Sequence, residues 1–116
     1  MLQEVDLSPL EALAGFVGAC VADAESGMVV LSIGEFDFEL AAAMNAEVLK
    51  AKRRAVRGLR LDDEIEDILI SLGKQYHLIR PLSAEQSLFT YLVLDRTQAS
   101  LGLARVALRN LERQDA

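Results

Sequence analysis

The sequence has few of the residues that reinforce a small fold covalently. Cysteine occurs once among 116 residues, so no disulfide can form within the chain. Histidine also occurs once, which excludes a structural zinc site of the usual Cys and His types. A chain of this length buries enough surface to fold without such support. We therefore predict one globular domain over residues 1–116 and expect it to hold no metal or cofactor.

Aromatic residues and long apolar runs are scarce as well. Aromatics make up 5% of the chain and tryptophan is absent, so aliphatic side chains must form the core. No apolar run approaches the roughly 20 residues of a membrane span. The segment from Met1 to Asp6 lacks the basic and apolar regions of a signal peptide. We expect a cytoplasmic protein.

Positive charge is in deficit, since 12 Lys and Arg face 18 Asp and Glu and the net charge is -6. Proteins that bind nucleic acid usually show the opposite balance. The exception is the stretch from Lys50 to Arg60, but acidic residues from Asp62 to Asp67 follow it and would repel phosphate. We expect no nucleic-acid partner. The cations Arg53, Arg54 and Arg57 either steer a charged protein partner or are simply the solvated charges of a helix end.

Local patterns predict the element order α-β-β-α-β-β-β-α. A short first helix begins at Ser8, where Ser8 and Glu11 form a capping box. The remaining predicted elements are strands Phe16 to Asp23 and Met28 to Ile33, a helix from Glu35 to Arg57, strands Glu64 to Leu72, Gln75 to Leu82 and Leu88 to Leu94, and a helix from Thr97 to Arg113 capped by Asp95 or Thr97. Short turns between strands favour antiparallel pairing. The predicted fold class is α+β, a five-stranded antiparallel sheet flanked by helices.

The long central helix carries two apolar stripes. One consists of Leu40, Met44, Val48, Ala51 and Ala55, and the other of Ala42, Ala46, Leu49 and Val56. A helix that lies on its own sheet needs only one stripe. Because small residues let a second backbone approach closely, we assign the stripe with Ala42 and Ala46 to a homodimer interface. The alternative is a helix that lies in a groove of its own domain.

The third predicted strand has apolar residues at both alternating positions, which is typical of a strand covered on both faces. At a bare sheet edge, such a strand would invite pairing with a second chain. Homodimerisation through this strand and the long helix explains both features together. The interface candidates in this strand are Ile65, Ile68, Leu69 and Ile70.

Motifs that carry chemistry are missing from the sequence. It contains neither a Walker loop nor a G-x-G-x-x-G pattern. Cys20 lies in an apolar run and is predicted to be a small buried residue. His77 alternates with Tyr76 and Leu78, which indicates a histidine on a sheet face with ordinary contacts. A dyad of Cys20 and His77 stays open, but no neighbour in sequence activates it. We expect no enzymatic activity.

The order and spacing of several stretches resemble the Roadblock family, which includes a dynein light chain and bacterial and archaeal relatives. The resembling stretches are Leu13 to Asp23, Ser26 to Val30, Leu40 to Ala43, Gly73 to Ile79 and Leu94 to Arg105. The resemblance implies a five-stranded antiparallel sheet between a long helix and two terminal helices. It also implies homodimers that form through the long helix and the third strand, with one continuous sheet across two subunits.

The same resemblance implies a role beside Ras-like small GTPases, which family members regulate or scaffold. One bacterial relative is the activating protein of a GTPase that controls polarity in gliding cells. The family offers no catalytic constellation to carry over, and we assign no arginine finger, although Arg96 and Arg105 lie in the resembling segment. Two alternatives remain, a structural or signalling adaptor without GTPase contact and a sensor that binds a small ligand.

Overall fold

The structure is a computed structural model that describes residues 5–113. Its elements are a 3-10 helix (Ser8–Ala12), β1 (Phe16–Asp23), β2 (Val29–Gly34), α1 (Phe38–Gly58), β3 (Ile68–Ser71), β4 (Gln75–Pro81), β5 (Leu88–Asp95) and α2 (Leu101–Arg113). The signal-peptide prediction concerns residues 1–4 in part, and these lie outside the described range. Across residues 5–113, neither helix is both long and apolar enough to cross a membrane.

The strands form one antiparallel sheet in the order β2-β1-β5-β4-β3. One face of the sheet packs against α1 through Cys20, Phe89 and Tyr91. The opposite face packs against the 3-10 helix and α2 through Leu78 and Leu92. This arrangement confirms the predicted fold class, with the sheet lying between the long helix and the two terminal helical segments.

The first helix is a single 3-10 turn, and its predicted capping box does not form. Leu7 occupies the N-cap position and provides no side-chain hydrogen bond. The Ser8 hydroxyl donates to the carboxylate of Asp6 and not to the helix. Since the segment is only five residues long, burial of Leu10 in the core holds it in place.

Both long helices begin later than predicted, each at a polar residue that caps it. The Asp37 carboxylate accepts a hydrogen bond from the backbone N–H of Leu40, so α1 begins at Phe38. The predicted cap Asp95 instead stabilises a turn, because its carboxylate accepts hydrogen bonds from the N–H and the hydroxyl of Thr97. Ser100 takes its place, because its hydroxyl accepts from the N–H of Leu103.

Strand β3 spans Ile68–Ser71 and is shorter than the predicted segment from Glu64 to Leu72. The residues before it form an irregular connection in which Arg60 and Asp62 have positive φ values of 56° and 51°. Such angles are uncommon for residues other than glycine, and they turn the chain just before the predicted start of the strand at Glu64. The acidic segment therefore forms a connection from α1 to the edge of the sheet.

Candidate interaction surface

The two stripes of α1 have the opposite roles to those predicted. Ala42, Ala46 and Leu49 are at most 1% exposed and pack against the sheet of their own domain. The exposed stripe, by which we mean Leu40, Met44 and Val48, has 58%, 63% and 41% of its surface open to solvent. The assignment of Ala42, Ala46 and Leu49 to a homodimer interface is therefore wrong for this conformation of the chain.

The reason for the reversal lies in what α1 covers. The sheet presents the large side chains of Phe89 and Tyr91 to the helix, and both are fully buried. Small alanines on the inner side of α1 leave room for these rings, so close approach of a backbone does occur, but it is to the domain's own sheet. Large apolar residues are thereby left on the outer side, where they are available to a second protein.

Strand β3 lies at one edge of the sheet, next to β4 alone. The backbone N–H of Leu72 donates to the carbonyl oxygen of Gln75 across the hairpin. Because hydrogen-bonded pairs alternate along an antiparallel ladder, Ile68 and Ile70 also direct their backbone groups toward β4. The backbone N–H and C=O groups of Leu69 and Ser71 consequently point away from the sheet, toward solvent.

The face of β3 on the α1 side of the sheet is only partly covered. Ile68 and Ile70 are partly buried against the core beneath α1, and so is Ile65 in the connection before the strand. Leu69 points to the opposite face, where it packs with the α2 layer. Val56, the last member of the predicted interface stripe, is also partly buried and lines a cleft with Ile65. All of these predicted interface residues are thus partly covered by the chain's own fold.

The three candidate cations at the end of α1 are not equivalent. The guanidinium of Arg53 donates to the backbone carbonyl of Gln86 at 2.9 Å, which ties α1 to the turn between β4 and β5. Arg54 and Arg57 are exposed. Within residues 5–113 neither of them forms a salt bridge. Of the predicted partner-binding residues, Arg54 and Arg57 are therefore the two available to another molecule.

A groove of about 750 Å³ separates the end of α1 from the connection that follows it. Its lining carries both signs of charge and consists of Val56, Arg57, Arg60, Asp62, Asp63 and Glu64. The fold thus brings the basic end of α1 and the acidic residues that follow it in the sequence to one charged surface. In the described part of the chain, no cluster of three or more metal-binding side chains is present.

The α1 side of the sheet holds the chain's one histidine and one cysteine. The two ring nitrogens of His77 lie 2.9 Å from the Gln75 amide oxygen and 2.9 Å from the Tyr91 hydroxyl. Cys20 is fully buried, and burial raises the pKa of its thiol to about 12. The predictions of a buried Cys20 and a sheet-face His77 are confirmed. Since both nitrogens of His77 have other partners and the thiol stays protonated, the pair has no activated nucleophile.

A contact that the sequence did not indicate fixes the start of β3. The guanidinium of Arg105 on α2 makes two hydrogen bonds to the Asp67 carboxylate, at 2.9 and 3.1 Å. Asp67 directly precedes β3, so this pair connects the layer on one face of the sheet to its free edge. Residues 38 apart in sequence show no local pattern by which such a pair could be found. Arg96, the other arginine of the resembling segment, lies over the ring of Tyr76 at 5.0 Å.

Comparisons with known proteins give a result at the level of structure only. No protein-family model matches the sequence, and no curated protein matches it either. Solved structures, in contrast, match most of the chain at sequence identities of 13 to 22%.

A Roadblock/LC7 domain from Streptomyces avermitilis superimposes with a TM-score of 0.81 at 13% identity, over 92% of this chain and 88% of that one. MglB from Myxococcus xanthus has a TM-score of 0.74 at 17% identity, over 84% and 78% of the two chains. The gliding protein MglB from Thermus thermophilus has a TM-score of 0.78 at 15% identity, over 91% and 79%. The described chain therefore has a Roadblock-type fold.

Proposed function

We propose that the protein is a homodimeric interaction domain that regulates or scaffolds a Ras-like small GTPase. The observation that carries the proposal is the exposed apolar stripe of α1, and the open edge of β3 is a second surface that the single chain leaves free. The Roadblock-type fold supports it. So does the resemblance of the sequence to a family whose members bind such GTPases.

In the proposed dimer, two copies of β3 pair antiparallel and join their sheets into one. The free backbone groups of Leu69 and Ser71 supply the hydrogen bonds across the junction. The exposed stripes of the two α1 helices meet above it, where full burial of a Leu, Val or Met side chain contributes about 1.5 to 3 kcal/mol. A structure of MglB described as having a tetrameric arrangement, with a TM-score of 0.78, supports self-association of this fold.

The proposed partner surface is the end of α1, where Arg54 and Arg57 stand free beside the charged groove. Exposed cations of this kind accelerate and orient the encounter with an acidic surface. We infer that the protein is not itself an enzyme and acts on the GTPase by ordering its switch loops, since Cys20 and His77 lack activation. A partner of this class places the protein in the cytoplasm.

The test is binding to purified Ras-like GTPases loaded with GDP or with a non-hydrolysable GTP analogue. We expect binding that depends on the bound nucleotide and is weakened at least tenfold by Arg54→Glu combined with Arg57→Glu, while the unfolding midpoint is retained. Arg109→Glu, an exposed reversal on α2, is the control and is expected to bind normally. Equal binding in both nucleotide states, or none in either, would favour the adaptor alternative. A gain in thermal stability with a metabolite would favour the sensor.

A further inference from the structure

Strand β2 forms the edge of the sheet opposite to β3, and it pairs with β1 alone. Residues 31–34 of β2 pair in unbroken register with residues 18–21 of β1. Because the backbone groups of an antiparallel strand point alternately to its two sides, half of the N–H and C=O groups in this stretch point away from the sheet. Within residues 5–113, no strand pairs with that side of β2. The strand therefore offers a second open edge.

Exposed apolar side chains and a cleft lie at the beginning of β2. The register shifts by one residue before the regular stretch, so Val30 forms a bulge, and its side chain is 55% exposed. Met28, which ends the turn between β1 and β2, is 70% exposed. A cleft of about 380 Å³ separates this turn from α1, and its lining consists of Ser26, Gly27, Met28, Val29, Glu39 and Ala43. The open edge thus begins beside a cleft that can receive a side chain.

Contacts with two separate parts of α1 hold the turn between β1 and β2 in place. Gly27 has a φ of 76°, and a Cβ atom at this residue would lie 2.7 Å from the Cα of Ala43, so the turn packs directly on the helix. Farther along α1, the Nζ of Lys50 donates to the backbone carbonyl of Glu25 at 3.0 Å. The cleft is therefore already formed in the free chain, which lowers the ordering cost of binding.

The charge around β2 is of one sign. All 12 Lys and Arg residues, and the single histidine, follow residue 49 in the sequence. Exposed carboxylates stand before β2 at Glu25, directly after it at Glu35, and in the cleft at Glu39. In the described part of the chain, none of these three forms a salt bridge. Because both ends of β2 are acidic, two copies of this edge repel each other in either orientation, whereas a basic segment is attracted.

We propose that β2 and its cleft form a docking site for an extended, basic segment of another protein, which adds to the sheet as a further strand. Strand addition supplies backbone hydrogen bonds, and alternate side chains of the added segment supply specificity. One apolar side chain of the segment enters the cleft at Met28, and Lys or Arg residues near it are attracted by Glu35 and Glu39. This site is separate from the exposed stripe of α1 and from β3, so the inference goes beyond the proposed function.

The probe is a synthetic peptide of alternating Thr and Val residues with lysines at both ends, and the same peptide with glutamates at both ends is its control. At low salt we expect the lysine peptide to bind at least about tenfold more tightly, as measured by fluorescence anisotropy. In NMR spectra of the protein, the backbone amide shifts are expected to change most in residues 28–34 and at Glu39 and Ala43.

Two matched variants test the position of the site. Met28→Lys places a cation at the cleft and is expected to weaken binding of the lysine peptide at least about tenfold. The unfolding midpoint is expected to stay unchanged, since the Met28 side chain is mostly exposed. Leu103→Lys on α2 makes the same change of charge at a side chain that is 65% exposed, and it is expected to bind the peptide like the wild type.

Several results would overturn the inference. These are equal affinity for the two peptides, no binding of the lysine peptide up to about 1 mM, amide shifts centred on β3, and equal weakening by Met28→Lys and Leu103→Lys. A particle larger than a dimer that Met28→Lys dissociates would show that a second copy of the chain covers β2 in place of a basic partner. Since β2 takes no part in the proposed dimer or GTPase contact, each of these results leaves the proposed function standing.

Discussion

At the scale of single residues, the size of the side chains on α1 decides which of its faces lies against the sheet. Ala42 and Ala46 are buried in the same core cluster as Phe89 and Tyr91, while Ala51 faces solvent on the same helix. We expect Ala46→Leu to lower the free energy of unfolding by about 1 to 3 kcal/mol through overpacking. The matched change Ala51→Leu is expected to stay within about 0.5 kcal/mol of the wild type. Urea unfolding of both variants checks this, and equal effects would contradict the assignment of the faces.

His77 makes the stability of the fold depend on pH near neutrality. Burial lowers its pKa in the folded chain relative to the unfolded value of about 6.5. The residues around its ring are Gln75, Tyr91 and Phe36, and burial raises the pKa of Tyr91 to about 12, so its hydroxyl stays neutral. The unfolded chain therefore binds a proton more readily than the folded chain at this site.

Because proton binding and folding are coupled, the free energy of unfolding falls as the pH decreases from about 6.5 toward the lowered pKa of His77 in the folded chain. Above about pH 6.5 it reaches a plateau. We expect the urea midpoint of the wild type to drop between pH 7.5 and pH 5.5. In His77→Gln, which retains a polar group but does not titrate, this part of the drop is expected to vanish. Since the chain has one histidine, the difference between the two proteins isolates its contribution. Identical pH profiles would show that His77 is not held neutral by the fold.

At the scale of elements, the sequence predicted most of the strands because their local signals agree with the fold. Strand β1 has the predicted bounds of Phe16 and Asp23, and the hairpin at Gly73 forms where expected. The helix starts were less predictable, since several residues in each segment can act as caps. Only the fold shows that the Asp95 carboxylate bonds to Thr97 and so does not cap the helix. The faces of α1 could not be predicted, because both stripes are apolar and the choice depends on aromatic residues from strand β5.

Proline substitutions at two neighbouring residues of β3 test whether its free edge is the dimer interface. Ser71→Pro removes a backbone N–H that points to solvent in the single chain, and proline is tolerated at such edge positions. We expect this variant to fold but to dimerise at least tenfold more weakly. Ile70→Pro removes an N–H that donates to β4 and is expected to destabilise the fold itself by about 2 to 4 kcal/mol. Sedimentation equilibrium and urea unfolding of both variants distinguish the two effects. Normal dimerisation of Ser71→Pro would exclude the β3 edge from the interface.

The pair of Arg105 and Asp67 is expected to act on β3 from the opposite layer of the fold. In Arg105→Ala, the mostly buried Asp67 loses its partner, and the start of the strand is no longer held to α2. Because Arg105 itself is about one third exposed, we expect only about 1 kcal/mol of lost folding stability. Dimer affinity, measured at a temperature where the variant is folded, is expected to fall several-fold. Arg109→Ala on the same helix is the control, and an equal effect in both variants would show that the ion pair does not position the strand.

At the scale of the whole molecule, the fold leaves two surfaces without a partner in the single chain. These are the exposed apolar stripe of α1 and the free backbone groups of β3, and the proposed second copy of the chain would cover both. The proposed function thus depends first on whether two chains associate.

The most direct test of that central claim is the solution mass of the wild-type protein, measured by light scattering over a range of concentrations and salt. The account predicts a particle of about twice the chain mass of 12.7 kDa. It is expected to persist at 1 M salt, because salt screens exposed charges and leaves the apolar contact intact. A particle with the mass of one chain at every concentration and salt level would contradict it.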